Sequence, residues 1–131
     1  MCKSAKIEKP SRFEEMTAWN KARELSKAVY AISAKSKLAK EFDLKRQMCR
    51  SAVSVAANIA EGFEREGNRE FLRFLSISKG SCGELRSHVL IAHDQGFISD
   101  NQFLFLYKRS IRLSQILAGI MRKLKKELNR K

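Results

Sequence analysis

The chain has 131 residues, with Lys+Arg 27 against Asp+Glu 14 and a formal net charge of +13. That length suffices for one domain with a real core, and an apolar share of 44% excludes wholesale disorder. One proline and six glycines leave too few turns for a sandwich or barrel, and no apolar run approaches the roughly 20 residues of a membrane span.

Residues 1–12 are polar and basic and are expected to form a loose tail ahead of a single domain over 13–131. The start, Met1-Cys2-Lys3-Ser4-Ala5-Lys6, carries no apolar signal region. Ser11 with Glu14 fits a capping box. Phe13, Met16, Trp19, Ala22, Leu25, Val29 and Ile32 then recur at steps of three or four, the period of an amphipathic helix, which is predicted to end near Lys37. Residues 38–43 make the first turn. A second helix is predicted on Leu44, Met48, Ala52, Val55, Ile59 and Phe63, closed by Gly62 and Gly67. Asn68 is placed to cap a third, which repeats Phe71, Phe74, Leu75, Ser78, Leu85, Val89 and Ala92. Gly96 stands where a C-terminal glycine cap belongs.

Ser99 and Gln102 form a second capping box, opening a fourth helix with two apolar stripes. One runs through Leu104, Tyr107, Ile111, Ala118, Met121 and Leu128; the other through Leu106, Leu113, Leu117, Ile120 and Leu124. Their combined arc exceeds what one core contact needs, so Leu106, Leu113, Leu117 and Ile120 are assigned to an interface with another subunit. The predicted fold is all-α: an up-down-up-down four-helix bundle with short loops.

The positive charge concentrates at the end of the chain. Residues 108–131 hold nine basic side chains and one acid, whereas residues 67–107 hold four of each. Lys108, Arg112, Arg122 and Lys126 fall on one face of the fourth helix, flanked by Arg109, Lys123 and Lys125. Such a stripe suits a phosphate backbone, since each cation releases a condensed counterion. Lys108, Arg109, Arg112, Arg122, Lys123 and Lys126 are therefore the candidate nucleic-acid contacts. No aromatic residue interleaves with the stripe, so base stacking is not expected there and sequence readout should be slight.

Two rows of small residues, Ser76, Gly80, Gly83, Ser87 and Ala56, Ala60, point to close helix crossings. Asn58, Glu61, Arg73 and Glu84 are expected to form a structural polar cluster in which a buried carboxylate finds a cation. His88 and His93, five apart, cannot share a metal as an i, i+4 pair does, and no metal or cofactor is expected. Arg86 and His93, seven apart, resemble the pair of HEPN-type ribonucleases, but a lone pair is a weak signal. No nucleotide loop or nucleophile elbow is present, and no catalytic residue is assigned. Cys2, Cys49 and Cys82 are odd in number without C-x-x-C, which fits buried thiols in a reducing cytoplasm.

The segment Gln47-Met48-Cys49-Arg50-Ser51-Ala52-Val53-Ser54, followed by Asn58-Ile59-Ala60-Glu61-Gly62, resembles the signature of the four-helix bundle proteins encoded by intervening sequences in large-subunit ribosomal RNA genes. The likeness continues through Glu70-Phe71-Leu72-Arg73-Phe74-Leu75, Gly80-Ser81, Glu84-Leu85 and Gly96-Phe97-Ile98, with Ala18-Trp19 and Ala22 ahead. Many relatives place a proline after the second-helix serine, where this chain has Val55. The unusually basic last helix is similar to the accessory variability proteins of diversity-generating retroelements, pentameric barrels that bind nucleic acid and a reverse transcriptase. The resemblance implies a bundle assembled as a homopentameric ring and no established catalytic activity. The function expected is that of a non-enzymatic, cytoplasmic, oligomeric nucleic-acid-binding accessory protein, with RNA favoured over DNA and no membrane role. The alternative is an adaptor oligomer for a protein partner such as a reverse transcriptase.

Overall fold

The structure is a computed structural model that describes residues 10–130. Most of the basic tail expected over 1–12, including Cys2, lies outside the described residues. Four helices carry the fold: α1 Thr17–Lys35, α2 Phe42–Glu64, α3 Asn68–Asp94 and α4 Asp100–Asn129. Short 3₁₀ turns at Phe13–Glu15 and Lys37–Lys40 precede α1 and α2, and no strand occurs among the described residues. α1 packs on α2, α2 on α3, α3 on α4 and α4 on α1, which closes the four-helix bundle. The short connections alternate the helix directions, as expected.

Helix ends follow local chemistry, with two departures from expectation. The Ser11–Glu14 box does not form. Instead the Ser11 N–H donates to Glu15 Oε1 at 3.1 Å, and α1 begins only after Met16, whose extended backbone breaks the 3₁₀ turn. Gly67, not Asn68, is the N-cap of α3, because the entry needs φ +84°, which glycine reaches without a Cβ clash. At the other end of α3, Gly96 adopts φ +75°. Its N–H donates to His93 O at 3.0 Å and the Phe97 N–H to Ala92 O at 2.9 Å, the paired bonds of a Schellman cap. The Ser99–Gln102 box opens α4 as expected, with reciprocal bonds of 3.1 and 2.9 Å.

The core is one continuous cluster. Leu25 and Val29 of α1, Met48, Val55 and Ile59 of α2, Leu75, Leu85 and Val89 of α3, and Leu106, Leu113 and Leu117 of α4 are all sealed from water. Leu38 and Ile98, from the connecting segments, join the same cluster. Side chain–backbone bonds stitch the helices together across it: Ser78 Oγ donates to Val55 O at 2.7 Å, and Cys82 Sγ donates to Ser110 O at 3.1 Å.

This packing corrects the interface assignment. Leu106, Leu113 and Leu117 are at most 1% exposed, and Ile120 is half-buried against the same core, so this stripe holds the protomer together. The neighbouring stripe is the one left partly open, with Tyr107, Ile111, Ala118 and Met121 half-buried and Leu104 exposed. Both stripes are apolar at helical spacing. Only the placement of α1 and α3 against α4 decides which one is covered.

Candidate nucleic-acid interface

α4 turns its buried leucines toward α1 and α3, so residues on its opposite face must reach solvent. Lys108, Arg109, Arg112, Arg122, Lys123 and Lys126 are all exposed. From Lys108 to Lys126 the stripe runs roughly 27 Å along the helix axis. Among the described residues none of these six makes an ion pair; the one pair at this end of α4 joins Arg130 to Glu127. Their field is therefore not cancelled locally.

The stripe is not uniform. Its N-terminal part borders a shallow depression of about 450 Å³, lined by Asn101, Leu104, Phe105, Lys108, Arg109 and Arg112. Phe105 is 44% exposed, and the Arg109 guanidinium lies over its ring at 4.2 Å. The expectation of no aromatic beside the stripe is thus corrected. Phe105 stands four residues before Arg109, one helical turn away, and that spacing was the available signal.

A second depression opens between α3 and α4. It measures about 560 Å³ and is floored by Gly80, Gly83 and Ala118. Lys79 and Arg86 of α3 and Arg122 and Lys125 of α4 stand around it. The close crossing expected from Ser76, Gly80, Gly83 and Ser87 is absent here. A Cβ on Gly80 would meet no atom within 4 Å, and one on Gly83 only Arg86 Nη2, at 3.9 Å. The close crossing occurs elsewhere, at Gly62, which lies inside α2 rather than closing it and whose added Cβ would stand 2.7 Å from Phe74 Cβ.

The polar cluster also resolves differently. Glu61 is half-exposed and pairs with Arg65 at 2.7 Å; Arg73 pairs with Glu70 at 3.7 Å; Glu84 lies 3.5 Å from His88. Asn58 donates to Ser54 O and Oγ at 2.9 and 3.0 Å, and Ser54 Oγ bonds Ser81 Oγ at 2.8 Å across the α2–α3 seam. Glu61 and Arg73 are therefore joined only indirectly, through Arg65 and Glu70, which lie 3.8 Å apart, while Asn58 and Glu84 belong to separate contacts; a local i, i+4 partner reaches Glu61 before Arg73 does. The hydrogen bond to Glu61 raises the Arg65 pKa further. His93 is held 2.7 Å from Asp100 Oδ1 and stacks on Phe103 at 4.3 Å. Arg86 instead folds back over Gly83, so it and His93 face different surroundings. Burial pushes the Cys82 thiol up, and the charges of Arg86 and Lys79 oppose that rise.

Residues 14–119 match the family described as 23S rRNA-intervening sequence protein. The chain belongs to that family. Among solved structures, the fold is similar to a protein of unknown function from the S23 ribosomal protein family of Bacteroides thetaiotaomicron. The TM-score is 0.74 at 21% identity, covering 80% of this chain and 98% of the other. No curated protein shows a significant match. Membership in the intervening-sequence family is compatible with a non-enzymatic, RNA-associated role. Among the described residues no helix is long and apolar enough to cross a membrane.

Proposed function

We propose that this intervening-sequence protein is a non-enzymatic RNA-binding accessory protein that lays an RNA strand along the outer face of α4. The observation that carries this reading is the row of exposed cations, Lys108, Arg109, Arg112, Arg122, Lys123 and Lys126, with no acidic partner among the described residues. Phosphates are the ligand such a row suits, and the ribosomal RNA connection in the family's description favours RNA over DNA. Phe105 adds a single stacking platform at one end of the row, which favours an unpaired base there. In the same reading the protomer works in the cytoplasm as a homopentameric ring, repeating the row around one particle.

The test is the salt dependence of RNA binding. Each phosphate contact contributes about 0.7 to the log–log slope for single strands. Replacing Lys108, Arg112 and Lys126 with Gln should flatten the slope by about two and leave the helical content unchanged. Identical affinity and slope for parent and variant would overturn the reading. Light scattering should return about five times 15.0 kDa for the assembled particle.

A second reading rests on a different surface. Phe42 and Tyr30 are 68% and 52% exposed beside Lys45, Arg46 and Arg50, in a depression of about 420 Å³. Exposed aromatics ringed by cations suit a protein partner, and they support a structural or adaptor role toward a protein partner such as a reverse transcriptase. Loss of partner capture on Phe42→Ala, with RNA binding intact, would favour it.

A further inference from the structure

The open groove between α3 and α4 differs from the outer face of α4 in shape and in the convergence of its charges. On the outer face the shallow depression gathers Lys108, Arg109 and Arg112, all from α4 alone. The groove is concave, and four cations from two helices, Lys79, Arg86, Arg122 and Lys125, border a single space of about 560 Å³. No acidic residue lines it, while Ser76 and Ser114 add hydroxyls. A cleft walled by one sign of charge focuses its field on whatever enters.

The two arginines are poised in the same way. Arg86 Nη2 lies 3.9 Å from where a Cβ on Gly83 would stand, and Arg122 Nη2 lies 3.7 Å from the equivalent point on Gly119. In each case a glycine three residues earlier leaves bare helix backbone beneath the guanidinium. Arg86 Nη1 is also enclosed by protein and has no hydrogen-bond partner. A buried donor without an acceptor is costly, so a small shift of the guanidinium toward an anion in the groove would relieve it. Guanidinium forks match phosphate oxygens in pairs.

We propose that this groove is a binding site for consecutive phosphates, such as a triphosphate. Four cations facing one space match a ligand that carries several adjacent negative charges. The floor of glycine and alanine admits the chain closely and offers no aromatic ring to read a base. The same chemistry occurs in a free polyphosphate and in the backbone of a strand. The site goes beyond the RNA reading and does not depend on it.

Titration calorimetry with inorganic triphosphate tests the proposal on the full chain. The parent should bind, and Arg86→Gln should weaken binding at least tenfold, whereas Lys27→Gln, an equal loss of charge on α1, should change it less than twofold. Gly80→Glu guards against a trivial loss of folding. Its side chain has open space to enter and leaves a helical glycine behind, so melting temperature should hold or rise while triphosphate binding disappears. Absence of binding by the parent, or binding that survives both Arg86→Gln and Gly80→Glu, would overturn the site. Because Arg122 borders both surfaces, Arg86, which belongs to the groove alone, decides the occupant: RNA affinity that falls with Arg86→Gln would identify a strand backbone, and RNA affinity unchanged by Arg86→Gln would identify a free polyphosphate. Triphosphate binding without any RNA binding would sink the RNA reading and leave the groove standing.

Discussion

At Gly62, in the seam between α2 and α3, an added Cβ would press on Phe74 Cβ at 2.7 Å and on Phe71 Cδ1 at 3.2 Å; at Gly80, in the groove between α3 and α4, it would meet nothing within 4 Å. Both are glycines inside helices, and each costs about 1 kcal/mol relative to alanine in helix propensity. In the first seam packing accounts for the residue: the two backbones approach over it, and Ser78, Ser54 and Ser81 bond across the same seam. In the second no packing contact does. That contrast separates a glycine that packing requires from one that floors an open, cation-lined groove. Small-residue stripes look alike along a sequence, yet they can mean closure or access.

The largest effect tests how far the openness of the second seam extends. It should stop at the inner face of α4, where Leu117 is fully buried. Leu117→Ala should cost about 2–5 kcal/mol through lost burial and a cavity. Denaturant midpoints should fall by the same amount at every protein concentration, because the contact is within one protomer. A loss that shrinks as concentration rises would return Leu117 to a subunit interface.

The next test sets the two glycines against each other. Gly62→Ala should destabilise by about 1–3 kcal/mol, since Phe74 and the Phe71 carbonyl oxygen must move. Gly80→Ala should stabilise by up to about 1 kcal/mol. Thermal melts of the two variants should therefore shift in opposite directions. Shifts of the same sign would remove the distinction between the seams.

The smallest effect concerns Cys82, sealed in the second seam below the groove. Burial raises its pKa, with Arg86 and Lys79 opposing. The folded state then keeps this proton where the unfolded chain, with a thiol pKa of about 8.5, releases it. Its contribution is complete below that pH and is lost as pH rises through the higher folded value. Stability should decline above about pH 8.5 more steeply in the parent than in Cys82→Ser, which keeps a donor for Ser110 O. Parallel pH profiles would show that Arg86 and Lys79 offset the burial completely.

Much of this protein was legible from the order of its residues. Helical period, the Ser99–Gln102 box and the Gly96 cap are local: each depends on groups within a few positions, so spacing alone specifies them. The exposure of the basic row on α4 follows in the same way, because a face opposite several leucines must meet water. The motif run from Gln47 to Gly62 identified the family for a similar reason, being an ordered set of residues rather than a shape. What spacing could not determine was which of two adjacent apolar stripes is covered, which glycines are pressed and which stand open, and whether Glu61 turns to Arg65 or to Arg73. Those outcomes depend on how helices distant in sequence are placed against one another. Leu113 became core, Gly80 became a groove floor, and Arg86 and Arg122 came to face one space only when α3 and α4 packed together.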